Sequence, residues 1–263
     1  MPNYVKIPRE IIYNKDLSSK RVIIFSYLCA RRSLDDTVAF STTELCHWSK
    51  LKPNYRDGKI NQKYYEVLLL LSRYGYFDAY PDFKKCLHEN TNSVRYQLVK
   101  LNIEKFDIPD HFGLIYFDEL EMILNFQTQP SILAANIDTT RMSSAYILLL
   151  LSYLRVNMNR NSERPLCCYR YYKTISDDIG LSERYISRIV EILDCLRIIK
   201  CVPMQRIKYI DNNKEKFITT PKIFADYRHF SKNDHGYQLI DQTYDCENEI
   251  QKQISELENE YKK

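Results

Sequence analysis

Arg184 and Arg188 stand one helical turn apart within TISDDIGLSERYISRIVEILDCLRII, residues 174–199, with Ser182, Glu183, Tyr185 and Ser187 around them. A guanidinium is a rigid fork of N–H donors that matches the O6/N7 edge of guanine, or two oxygens of a phosphate. Serine hydroxyls and the open N–H groups of a helix's first turn suit a phosphate oxygen. Tyr185 can pack on a sugar or donate to a phosphate. These residue types point to duplex recognition rather than to bond-making chemistry. The plainer use of the same residues is a solvated face on which Glu191 pairs with Arg184 or Arg188.

Such a face needs a helix whose other side is oily. Ile186, Ile189, Val190, Leu193 and Leu196 recur at helical spacing and supply that side, with Arg184, Ser187, Arg188 and Glu191 opposite. Ser182 is placed to cap this helix, and Glu183 lies in its first turn, where the helix dipole favours an anion. Upstream, Thr174 is expected to cap a short helix with Asp177 at its third position, and Gly180 to end it in the left-handed conformation. Two helices across a tight glycine turn form a helix-turn-helix, the second sized for a major groove.

Two further groups carry matching chemistry. A hairpin is expected from Ile198 to Ile210 and Lys216 to Thr219 around Asp211-Asn212-Asn213, carrying Arg206, Lys208, Lys214 and Lys216. Such a hairpin supplies phosphate contacts, or is a charged edge that blocks strand pairing. Lys59, Asn61, Gln62 and Lys63 begin an earlier helix, where Asn and Gln are suited to adenine. Glu66 and a ten-residue loop before that helix leave two uses open, DNA contact and dimerisation.

Enzymatic chemistry has little to stand on. The five histidines include no His-x-His pair, and no phosphate-binding G-x-x-x-x-G-K-[ST] loop occurs. Cys167-Cys168, Cys46-His47, and Cys195 with Cys201 lack zinc-finger spacing. Asp177-Asp178 belong to a cap. No catalytic residue, cofactor or metal is expected.

The chain has 263 residues, 44% of them hydrophobic, enough for one large or two small cores. Its net charge is +4, but Asp245 to Lys263 holds six acids against three lysines, leaving the preceding body at +7. That charge permits nucleic acid without requiring it. No run of about 18 apolar residues marks a membrane span, and MPNYVKIPREII lacks a signal-peptide core. A cytoplasmic protein with free thiols is expected.

Along the chain, residues 1–17 are expected to be extended. A helix capped by Ser18 or Ser19 then runs to about Arg32. Ser41-Thr42-Thr43-Glu44 forms a capping box, and a helix runs from about Ile60 to Arg73, ended by Gly75. Segments 76–87 and 93–101 form a hairpin. The same order recurs: Ser18, Ser26, Tyr27 and Leu28 match Ser144, Ser152, Tyr153 and Leu154 at an offset of 126. Tyr64, Val67, Leu68 and Leu71 match Ile186, Ile189, Val190 and Leu193 at an offset of 122. The fold expected is mainly α with small β-hairpins (α+β). A first domain covers 1–105, a folded connector with a helix at Phe117 to Phe126 covers 106–140, a second domain 141–228, and a tail 229–263. In the tail Ile250, Ile254, Leu257 and Tyr261 form a short coiled-coil seam, for docking on the body or for pairing in a dimer.

A helix, a helix-turn-helix and a hairpin make a winged helix. Residues 174–199 resemble bacterial winged helix-turn-helix domains, and the opening YVKIPREIIYNKDLSSKRVIIFSYLCARRSL resembles RepA-type replication initiators of Gram-positive plasmids and mobile elements. The resemblance covers roughly the first eighty residues and implies tandem winged helices. It further implies a protein that binds repeated origin sites in double-stranded DNA, destabilises the duplex and recruits the host helicase loader, as a homodimer or otherwise. A winged-helix transcriptional regulator and a protein-interaction module of a phage or plasmid replication complex are the other expectations.

Overall fold

The computed structural model describes residues 3–51, 62–78, 82–83, 96–106, 111–158, 167–202, 206–211, 214–219, 221–233 and 236–239. It is a mixed helix-and-strand fold with small sheets. In chain order, β1 (Tyr4–Pro8) leads into α1 (Arg9–Tyr13) and α2 (Arg21–Ala30); β2 (Thr37–Phe40), α3 (Thr42–Ser49), α4 (Gln62–Arg73), β3 (Gln97–Lys100) and α5 (Ile103–Phe106) follow. Then come β4 (Phe112–Tyr116), α6 (Phe117–Leu124), α7 (Pro130–Ala134) and α8 (Ser144–Val156). The remainder is β5 (Cys167–Arg170), α9 (Tyr172–Ile179), α10 (Glu183–Cys195), β6 (Ile199–Val202), β7 (Arg206–Asp211), β8 (Lys214–Thr219), β9 (Lys222–Asp226), β10 (Phe230–Asn233) and β11 (Gly236–Leu239).

Helices α2 and α8 are apolar nearly all round, and such helices belong inside. Val22 to Leu28, and Ala145 to Leu154 apart from the half-buried Tyr146, are buried accordingly, and the two helices pack on each other. One apolar core is therefore continuous from Val5 and Ile7 through α2 and α8 to Ile189, Leu193 and Phe224. Strand β4, inside the segment expected as a connector, pairs antiparallel with β1 about the Lys6↔Leu114 match. It also runs against α8 so closely that a Cβ on Gly113 would lie 2.4 Å from the Ser152 backbone oxygen.

Several local expectations change. Residues 9–13 are helical rather than extended. Helix α2 starts at Arg21, because Ser18 spends its hydroxyl on the Lys20 N–H in a preceding turn. At α3 only half of the capping box forms: Ser41 Oγ accepts the Glu44 N–H at 3.0 Å, while the Glu44 carboxylate pairs with Arg31 at 3.1 Å. Of the hairpin expected from 76–87 and 93–101, the described residues hold strand β3 and an antiparallel neighbour at Phe77. Strand β3 pairs with β2, unforeseen from the sequence, placing Val38 beside Val99 in the core. Phe77 contributes a single bridge to Leu101, and much of 76–95 lies outside the described residues. Likewise Ile198–Ile210 is two strands. β6 joins β5 and β9 in a sheet of order β5-β9-β6, and β7 pairs with β8 from Arg206↔Thr219 to Asp211↔Lys214. The tail seam expected at Ile250, Ile254, Leu257 and Tyr261 lies outside the described residues.

Among the described residues no helix is long and apolar enough to cross a membrane. Of the thiols expected to be buried, Cys46, Cys167 and Cys168 are buried and Cys29, Cys195 and Cys201 half-buried, none in a disulfide among the described residues, and burial pushes the Cys168 thiol upward in pKa.

Gly113→Ala should lower stability by roughly 1–3 kcal/mol, because backbone rather than a movable side chain opposes the new methyl. The denaturation midpoint of the variant checks this.

Candidate nucleic-acid interface

Helix α10 is amphipathic in the way its sequence requires. Ile186, Ile189, Val190, Leu193 and Leu196 are all buried, facing α8 and β6. Gly180 ends α9 at φ +76° and donates its N–H to Ser176 O at 2.9 Å, so the chain reverses tightly into α10. Thr174 is not the cap of α9. That helix begins at Tyr172 after an extended Tyr171, since Tyr172, Ile175 and Ile179 bury one stripe. Asp178 Oδ2 instead accepts the Tyr153 hydroxyl at 2.6 Å, tying α9 to α8. Ser182 occupies the N-cap position of α10 with extended backbone but makes no side-chain cap bond.

The six side chains expected at this face divide into an open set and a supported set. Ser182, Glu183 and Arg184 are exposed in the first turn, and Glu191 is exposed further along. Tyr185 is half-buried, its ring 5.4 Å from that of Tyr146 on α8. Ser187 is also half-buried, near the Tyr172 phenol. Lys222 Nζ donates to that phenol at 3.0 Å and lies 4.2 Å above its ring. Arg188 Nη1 pairs with Asp138 Oδ2 at 2.9 Å, a contact that no pattern within residues 174–199 announces. The Thr140 hydroxyl and N–H, then the charges of Arg188 and Arg184, hold the Asp138 carboxyl below the usual carboxylate range.

Arg206 and Lys208 lie on β7, and Lys214 and Lys216 on β8, with Asp211↔Lys214 the last matched pair before the turn. Phe217, opposite Lys208 in the register, is exposed. In the first half Lys59 and Asn61 lie outside the described residues. Gln62 and Lys63 open α4, and Gln62 donates to Glu66 one turn on at 3.3 Å. Lys63 is exposed, while Tyr64 is buried under Lys20, whose Nζ sits 4.2 Å above the ring. Set against known protein families and curated proteins, the chain matches no family model and no curated protein.

The arrangement presents a short polar turn, Ser182 to Arg184, on a helix backed by apolar contacts and by the ring of Tyr146. Its side chains are exposed. It is suited to touching a broad polar surface rather than to holding a small substrate.

Gly180→Ala meets open space but inherits a left-handed φ. It should cost about 1–2 kcal/mol, and Gly180→Asn less, since Asn tolerates that conformation. Thermal midpoints of the two variants check the order.

Proposed function

We propose that this chain is a sequence-specific double-stranded DNA-binding protein of two winged helix-turn-helix domains in tandem. Its role in this reading is to initiate replication of a plasmid or mobile element, without catalysing a reaction itself. The observation that carries the reading is the second half: α8, β5, α9, α10, β6, the β7–β8 hairpin and β9, with sheet order β5-β9-β6. That sequence of elements follows the winged-helix plan, with α10 as the groove-facing helix and the hairpin as the wing. The first half runs in parallel through α2, β2, α3, α4, the Phe77 bridge and β3, where β3 again lies between its two partners.

In this reading the open N–H groups and Ser182 of the first turn take a phosphate, and Arg184 and Arg188 read guanine. The hairpin's Arg206, Lys208, Lys214 and Lys216 contribute sequence-independent phosphate contacts. Origin repeats, and a host helicase loader recruited to them, are the partners that the resemblance of the N-terminal stretch suggests. A second reading, a module that binds replication proteins, is favoured by one feature. Glu183, Glu191 and Asp138 stand among Arg184 and Arg188, so the outer face of α10 is close to charge balance.

In gel shifts at roughly 50 mM salt the chain should bind a repeated duplex site, with log affinity falling about 0.9 per phosphate contacted as log salt rises. Absence of any duplex binding there removes the reading. Arg184→Ala with Arg188→Ala should weaken specific binding by about 2–6 kcal/mol if both arginines read bases, whereas a protein-interaction module keeps its activity. Footprints on direct repeats support an initiator; inverted repeats support a transcriptional regulator.

A further inference from the structure

The pairing of Arg188 with Asp138 joins the groove-facing side of α10 to a segment far from it in sequence. That segment is fixed in place. Ile132 and Met142 are buried and Ile137 packs against the core, so the chain is pinned on both sides of Asp138. Arg141 takes left-handed backbone at φ 64°, which a long side chain of its kind keeps only where its surroundings over-determine it. Asp138 itself is held by one oxygen. Oδ1 accepts the Thr140 N–H at 2.9 Å and the Thr140 hydroxyl, which leaves Oδ2 for Arg188.

We propose that Asp138 is a specificity-determining residue of the DNA-binding face, making Arg188 a reader of neutral base edges and a poor binder of phosphate. The inference rests on the duplex-binding reading above. A guanidinium has five N–H donors, and Asp138 engages Nη1, so donors remain for a second acceptor. Guanine O6 and N7 carry no formal charge and can join the ion pair without repulsion. A phosphate in the same place brings a second anion beside a carboxylate that Thr140 prevents from turning away. Arg184, close enough for its charge to act on Asp138, feels the same restraint. Non-specific binding is almost wholly phosphate contact, so a fixed anion here weakens it more than it weakens base readout. The result is a wider gap between specific and non-specific affinity.

Asp138→Asn removes the charge while keeping the size and the acceptor for Thr140. Wild type, Asp138→Asn, Arg188→Ala and the double variant should be titrated by anisotropy onto a random-sequence duplex at several salt concentrations, their thermal midpoints being compared alongside. Asp138→Asn is expected to bind this duplex several-fold more tightly, with a salt slope steeper by up to about 0.9. The gain should vanish in the Arg188→Ala background. If wild type binds duplex but Asp138→Asn binds no tighter, or the gain persists without Arg188, the role of Asp138 falls and the DNA-binding reading stands. If wild type binds no duplex at all, both fall.

Discussion

A guanidinium sealed from water needs a partner for its N–H groups, and Arg155 imposes that need near the C-terminal end of α8. Nη1 and Nη2 meet Glu119 at 2.5 and 2.8 Å, Nε meets Asp226 at 2.9 Å, and Nη1 also reaches Leu114 O at 2.8 Å. Burial by itself opposes the charge, but the two carboxylates override it and hold the arginine above its ordinary pKa. Glu119 is shared: it also takes Arg228 Nε at 2.7 Å and the Tyr116 N–H at 3.3 Å. Arg228 stacks 3.7 Å over the Tyr116 ring and grips Asp118. Losing one member of such a network costs about 3–5 kcal/mol, although the intact network adds little over an apolar replacement. Its effect is therefore geometric. It fixes α8, β4, α6 and the end of β9 to one another.

Arg21 makes a similar joint with backbone alone. Its guanidinium, almost fully buried, donates to Ile11, Ile12, Leu17 and Ser18 carbonyls and to Ile179 O at the end of α9. Burial pushes its pKa down to about 10, so the cation persists at neutral pH. The carbonyls at the ends of α1 and α9 carry partial negative charge, which is why no carboxylate is needed there. Through this arginine the first half of the chain reaches the turn that sets α10. With α6 and α8 held by Arg155, the stretch between them passes over α10, and Asp138 arrives beside Arg188.

What could be read in advance follows from range. The stripe Ile186 to Leu196, the left-handed Gly180, the stripe of α4 and the helix at Phe117 are decided by residues three or four apart, and the structure keeps each of them. Caps were less legible, because a hydroxyl or carboxylate has several suitors. Ser18, Thr174, Ser182 and Glu44 had the right types at the right spacing, yet of the caps expected from the sequence only Ser41 took its bond. In the cases of Asp178 and Glu44 the partner lies on another element, Tyr153 or Arg31. Strands β2, β5 and β9 are four or five residues long, too short for their alternation to stand out before their sheet partners are known.

At the candidate interface the same division holds. Which residues of α10 look outward was set by periodicity, but the state of each one was not. Tyr185 is braced by Tyr146 and Arg188 by Asp138, both far away along the chain. The sequence alone determined that an amphipathic helix with arginines on its polar side follows a glycine turn, because helical spacing and backbone sterics are local. The tertiary structure alone decided that one apolar core runs through both halves, and that an acidic side chain stands at Arg188. Burial and charge pairing depend on what the rest of the chain brings near.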